Sequence, residues 1–129
     1  MEKRKVVIIG AGHVGSHVAM ALCFQGTADE IVFIDKDKEK AVSNCYDVAD
    51  ACLFLSSTTK IKVGDYEDCR DAQIIINSIG MARKPGQSRL DMLDDSVIML
   101  KDVIKNLKPI GFDGIIVSIT NPADVVGNY

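Results

Sequence analysis

What the sequence lacks narrows its function before any motif is read. No apolar run exceeds strand length, so no membrane span is expected. The opening Met-Glu-Lys-Arg-Lys leads at once into strand-like sequence, so no secretory leader is expected either. No Lys/Arg cluster argues for such a partner as nucleic acid, and 15 of these residues against 18 Asp and Glu leave a formal charge of −3. That balance argues against nucleic acid or an anionic membrane as partner. The four cysteines, Cys23, Cys45, Cys52 and Cys69, form no C-x-x-C pair and no metal-type spacing. They read as small buried hydrophobes in a reduced, cytoplasmic protein that holds no metal. Histidine is scarce too: His13 and His17 are the only two. With 47% apolar and 26% charged residues, the 129-residue chain has ordinary globular composition and the size of a single domain.

What is present begins with residues 6–15, Val-Val-Ile-Ile-Gly-Ala-Gly-His-Val-Gly. An apolar run of strand character feeds three glycines, Gly10, Gly12 and Gly15, spaced G-x-G-x-x-G, and these open into a helical pattern. A second apolar run ends at Asp35, roughly 20 residues beyond the last glycine, as a dinucleotide-binding fingerprint requires. Each part has a mechanical role. Gly10 makes the tight turn, Gly12 lets the backbone approach a pyrophosphate, and Gly15 lets helix and strand pack closely. The first N–H groups of the helix lack intrahelical partners and suit phosphate oxygens, so His13 and Val14 are expected to offer backbone N–H there. Asp35 can accept hydrogen bonds from an adenosine ribose, and its charge repels a 2′-phosphate, which predicts NAD over NADP. Glycine-rich turns alone are weak evidence, but here strand, glycines, helix, second strand and acid fall in register.

Further along, residues 14–25 and 38–55 carry apolar positions at helical spacing, and 30–35 and 60–63 read as strands. A turn with a short helix is expected over 64–72. Residues 73–79 are apolar on both faces, as a central parallel strand tends to be. A long helix is expected over 88–107, with Leu90, Leu93, Val97, Leu100, Ile104 and Leu107 on one stripe, ended by Pro109 and Gly111. A fifth strand follows at 114–119, then Thr120-Asn121-Pro122 as a turn and the start of another helix. Strands alternating with helices imply an α/β, Rossmann-type doubly wound parallel sheet of order 3-2-1-4-5. The ligand is expected at the strands' carboxyl ends, where the order reverses. The sixth strand of that pattern has no sequence to form it here, so the fifth should be an edge with apolar surface uncovered and a tendency to self-associate.

Three segments taken together resemble the amino-terminal half of the L-lactate/L-malate dehydrogenase family. They are Gly10-Ala11-Gly12-His13-Val14-Gly15-Ser16, residues 80–91 (Gly-Met-Ala-Arg-Lys-Pro-Gly-Gln-Ser-Arg-Leu-Asp), and Thr120-Asn121-Pro122-Ala123-Asp124-Val125. The match covers essentially the whole chain in the right order, and R-K-P-G-x-x-R is its most specific part. The resemblance implies hydride transfer between NAD and the C2 position of a small 2-hydroxy or 2-oxo acid. It implies that Arg89 swings in on closure and polarises the substrate carbonyl, with Pro85-Gly86 as a turn within the closing lid. It implies that Arg83 reads the far end of the substrate, where an arginine suits a second carboxylate as in malate dehydrogenases and lactate dehydrogenases commonly carry Gln. Asn121 matches the asparagine that contacts the nicotinamide ribose and the substrate. Ser78, Ile79 and Gly80 are expected to line the adenine side, with Ile119 as a candidate nicotinamide wall. The segment 38–55 corresponds to a helix that many members use to pair subunits, with Asp47 in a variant of the family's D-x-x-x-A segment. That makes a homo-oligomer an expectation, although packing on its own sheet explains the apolar stripe equally well.

The family's catalytic His/Asp pair and its carboxylate-gripping arginine come after Thr-Asn-Pro, and neither His13 nor His17 matches that histidine. The 129 residues are therefore expected to form a truncated NAD-binding domain that binds the cofactor and by itself turns nothing over. Segments 25–29 and 111–114 resemble the branch of lactate and 2-hydroxyisocaproate dehydrogenases, whereas Arg83 favours a dicarboxylate. Two alternatives stand beside this reading. One is a free-standing NAD-binding module. The other is an NAD- and metal-dependent glycosidase of the same fold, which should lack the R-K-P-G-x-x-R lid.

Overall fold

The computed structural model describes residues 2–80, 84–88, 90–120 and 128. Strands β1 (Lys5–Ile9) and β2 (Glu30–Ile34) are buried at every position, which explains why their sequences are apolar without alternation. Helix α1 (His13–Gln25) connects them, and α2 (Lys38–Cys52) leads to β3 (Lys60–Val63). A 3₁₀ turn, Tyr66–Cys69, precedes β4 (Ile74–Asn77). Helix α3 (Leu93–Leu107) and a second 3₁₀ turn, Lys108–Ile110, lead to β5 (Ile115–Ser118). All pairings are parallel and the order is β3-β2-β1-β4-β5, as the α/β reading expected.

Alternate strand residues supply two cores. Val6, Ile8, Ile31, Phe33 and Ile76 face the helices α1 and α2, meeting Ala19, Cys23, Ala41, Val48 and Cys52. Val7, Ile9, Val32, Ile34 and Ile75 face the other way, against Cys69, Val103, Leu107 and Ile110. All four cysteines are free thiols, three of them buried. Burial and a hydrogen bond with Cys52 push the Cys23 thiol up to about 12. Burial likewise leads in raising Cys69 to about 12, so neither is a ready nucleophile.

Three boundaries differ from the sequence reading. Helix α2 stops at Cys52, and residues beyond it turn, leaving Leu53 and Phe54 exposed. Strand β4 ends at Asn77, where the chain leaves the sheet toward the cleft. Helix α3 starts at Leu93 rather than 88, because Ser88 and Asp91 bond reciprocally into a turn: Ser88 N–H reaches Asp91 Oδ2 at 2.7 Å and Asp91 N–H reaches Ser88 Oγ at 3.1 Å. Leu90 is consequently exposed, and the buried residues of α3 are Ser96, Val103 and Leu107; of the expected stripe only Leu107 is among them, while Leu93, Val97, Leu100 and Ile104 are half-buried. Edge strand β5 leaves Ile115, Ile116 and Val117 exposed at 65%, 52% and 42%.

Charge collects at the amino ends of the strands. Lys5, 6% exposed at its side chain, pairs with Asp71 at 2.7 Å and Asp68 at 3.5 Å. Lys62 joins Asp68 at 2.8 Å to Glu30 at 3.2 Å, and Glu30 also meets Lys3. Burial opposes the Lys5 charge, but its acidic partners outweigh that and raise the ammonium above its ordinary value. Hydrogen bonds from Lys3 and Lys5 hold Glu30 and Asp71 below the usual carboxylate range. Burial pushes Asp68 upward, yet Lys62 and the Asp65 N–H bring it lower on balance. Lowered carboxylates stabilise the fold above the unfolded-chain value and lose that contribution as pH falls toward the folded one. Thermal melts are expected to be flat between about pH 6 and about pH 8 and to drop steeply below about pH 4.5. Asp68→Asn, which strips Lys5 and Lys62 of a shared partner, should cost about 2 kcal/mol at neutral pH and shallow the acid slope.

Candidate functional site

The glycine turn is held at nearly every peptide. Gly10 has φ +100, and a Cβ there would lie 2.8 Å from the Ile79 nitrogen and the Ser78 carbonyl, so only glycine fits. Its N–H donates to the Ile34 carbonyl at 2.8 Å, and its carbonyl accepts from Ser78 Oγ at 2.7 Å. The Ala11 N–H donates to Asp35 Oδ2 at 2.8 Å, and the Ala11 carbonyl accepts from Asn44 Nδ2. The other Asp35 oxygen accepts from the Asp37 N–H at 2.9 Å. A Cβ on Gly15 would meet the Gly10 carbonyl at 2.2 Å and Ser78 Oγ at 2.9 Å, so α1 presses directly on the turn. Gly12 is different. The nearest atom to its would-be Cβ is Lys40 Nζ, 3.7 Å away. Nothing in the protein requires glycine there, so the open space above it suits a ligand. Gly12 is also the N-cap of α1, with no side-chain cap and no acid in the first turn, leaving a helix end suited to an anion.

A cleft of about 360 Å³ lies at the carboxyl ends of β1, β2 and β4. Ile9, Ile34, Ile79 and Val103 give it an apolar floor, and Gly10, Gly12 and Asp35 form one wall. Lys36, Lys38 and Lys40 rim it from the start of α2, while Tyr66 and Asp102 face them. Lys36 Nζ pairs with Asp102 at 3.2 Å. Burial first, then the Asp102 charge, pushes the Tyr66 phenol up to about 12, so it stays neutral.

The residues expected at the site divide into three groups. Gly10, Gly12, Asp35, Ser78, Ile79 and Gly80 meet at this cleft, while Gly15 acts behind it. His13 and Val14 are exposed and line a shallow depression along α1 with His17 rather than the cleft. Ile119 does not line the cleft; it packs against the core under α1 and α2. Arg83, Arg89 and Asn121 lie outside the described residues. Of the loop between the arginines, Lys84 to Ser88 is described, and Gln87 N–H closes a turn onto the Lys84 carbonyl at 3.0 Å. The lysine rim, Tyr66, Asp102 and Asn44 were missed by sequence reasoning. The alternation Lys36, Lys38, Lys40 directly after the acid was the available signal, but lysines opening a helix read as a solvated face.

The comparisons with known proteins bear on this geometry. Residues 4–129 match the family model described as lactate/malate dehydrogenase, NAD binding domain. The chain belongs to the lactate/malate dehydrogenase family. It is 44% identical over 125 residues to the L-lactate dehydrogenase of Shouchella clausii, covering 97% of this chain and 38% of the relative. It is 39% identical to L-lactate dehydrogenase 2 of Enterococcus faecalis over 95% of this chain and 39% of that protein. The ligand-bound minor L-lactate dehydrogenase of Enterococcus mundtii superposes with TM-score 0.91 at 38% identity, covering 98% of this chain and 40% of that one. The Cryptosporidium parvum lactate dehydrogenase, solved with lactic acid and nicotinamide adenine dinucleotide, superposes with TM-score 0.88 at 25% identity. The chain thus spans about two-fifths of the length of these relatives. As an NAD-binding domain it fits its cofactor on its own geometry: an open glycine at a helix N-terminus, and a carboxylate fixed at the end of β2.

The two inner glycines should respond differently to a methyl group. Gly15→Ala should lose more than about 3 kcal/mol of stability through the clash with the Gly10 carbonyl. Gly12→Ala should melt within about 2 °C of the parent, since its backbone is extended and its surroundings open. It should nevertheless raise the Kd for NADH at least about tenfold, by filling the space meant for the ligand. Differential scanning calorimetry beside calorimetric titration separates the two.

Proposed function

We propose that residues 1–129 are the cofactor-binding domain of an NAD-dependent L-2-hydroxy acid dehydrogenase whose substrate is lactate or a close relative. The observation that carries this is the pairing of Gly12, open above its Cα, with Asp35 in one cleft. In this reading the α1 N-terminus and the Lys40 ammonium receive the pyrophosphate, and free lone pairs of Asp35 accept from the adenosine ribose. Ile79, Gly80 and the neutral Tyr66 border the adenine. When bound, the nicotinamide supplies the hydride acceptor or donor for C2 of the acid. Arg89 polarises the substrate carbonyl, Arg83 contacts its far end, and Asn121 holds the nicotinamide ribose and substrate, roles that follow from the family motifs. Arg83 is also the observation that favours a second substrate, a dicarboxylate such as oxaloacetate.

The enzyme is proposed to act in the cytoplasm as a homo-oligomer. Four free thiols agree with a reducing compartment, and among the described residues no helix is long and apolar enough to cross a membrane. Tyr46, Leu53 and Phe54 at and beyond the outer face of α2 are exposed at 66%, 75% and 93%, and a second copy would cover them.

Titration of the chain should show NADH binding at least about 100-fold tighter than NADPH, the Asp35 charge opposing the extra phosphate. Asp35→Asn should narrow that ratio. The chain alone should turn over neither pyruvate nor oxaloacetate. Steady-state kinetics of the enzyme carrying this domain, with pyruvate, oxaloacetate and 2-oxoisocaproate, should show turnover of at least one, and none with any of them would overturn the reading. Tyr46→Lys combined with Phe54→Lys should shift sedimentation of an oligomer toward monomer while leaving NADH affinity within about twofold.

A further inference from the structure

We propose that Asn44 is a positioning residue for the cofactor turn, aiming the Gly12 N–H at the pyrophosphate. The proposal rests on the NAD-binding reading of the cleft. Asn44 lies on the inner side of α2, between the buried residues Ala41 and Val48, where an amide is costly unless it finds a partner. Its partner is the Ala11 carbonyl. Ala11 has no exposed surface, so that carbonyl cannot turn to water instead.

The consequence follows from the planarity of the peptide bond. In a trans peptide the carbonyl of one residue and the N–H of the next point in opposite directions in one plane. Holding the Ala11 carbonyl on α2 therefore fixes the Gly12 N–H on the side away from Asn44. The preceding N–H, that of Ala11, is already bound to Asp35 Oδ2 at 2.8 Å. The two side chains thus pin successive peptides. Gly12 has no side chain to resist a rotation of its own, and its surroundings are open, so without Asn44 this peptide is free to flip. A flipped peptide would turn a carbonyl oxygen toward the phosphates, replacing a donor with a repelling acceptor. Asp35 contacts the ribose in the same reading, whereas Asn44 touches no part of the cofactor and works only through the turn.

The test compares Asn44→Ala, which removes the donor, with Asn44→Asp, which keeps the size and offers only acceptors. NADH affinity by calorimetry should fall about tenfold for Asn44→Ala, the worth of one hydrogen bond to a buried group, and further for Asn44→Asp. Adenosine, which lacks the pyrophosphate, should bind both variants as it binds the parent in a nuclear magnetic resonance titration. In the ligand-free chain the Gly12 amide resonance should shift and broaden in Asn44→Ala as the peptide samples both orientations, while resonances in β1 and β2 stay unchanged. Unchanged NADH affinity, or a parallel loss for adenosine, would overturn the positioning role. If the unsubstituted chain bound no NADH, the cofactor reading would fail instead. An unchanged, sharp Gly12 amide resonance in Asn44→Ala would overturn the role of Asn44 whatever the ligand does.

Discussion

The whole arrangement depends on how closely α1 approaches the end of β1. Gly15 has room for a hydrogen and nothing more against the Gly10 carbonyl, and that contact sets where the helix begins and which way it points. Once α1 is seated, its free amino end is aimed at the crevice between β1 and β4, the point where the strand order reverses. Ser78 completes the fit from β4's side by donating to the same Gly10 carbonyl. A helix one methylene further out would still cover the sheet, but its amides would no longer face the cleft.

Much of this was legible in the sequence because it is written in spacing. The runs 6–9 and 31–34 are strands buried on both faces, and a strand that must be apolar at every position leaves no ambiguity of period. The interval from Gly15 to Asp35 is fixed by a helix and a strand of ordinary length, so spacing alone pairs the acid with the glycines. Helix α3 was harder. Its sequence reads as one apolar stripe through Leu93, Val97, Leu100, Ile104 and Leu107. The packed side instead includes Ser96, a small polar residue that periodicity discounts. Ser88 and Asp91 did carry a helix-start signature, and they do bond reciprocally, yet they close a turn ahead of the helix. Asn44 was invisible for a related reason: a lone amide on an amphipathic helix has no pattern, and its partner is a backbone carbonyl 33 residues away.

The cleft also shows how ionic groups can border a binding site without filling it. Lys36 is engaged by Asp102, and Asp35 accepts two backbone N–H groups, so these two charges are tied down before a ligand arrives. A carboxylate pinned this way loses little freedom when a ribose hydroxyl binds, which favours affinity through preorganisation rather than through added contacts.

None of the residues in the ladder from Lys3 through Glu30, Lys62 and Asp68 to Lys5 and Asp71 lines the cleft of the cofactor turn. Robustness and recognition are thus written in separate residues. A lineage moving to a hotter or more acidic habitat could redraw the ladder while its nucleotide preference stayed still, and a lineage changing cofactor could rewrite the rim of the cleft without eroding the fold. That separation gives so small a domain room to evolve along two independent directions.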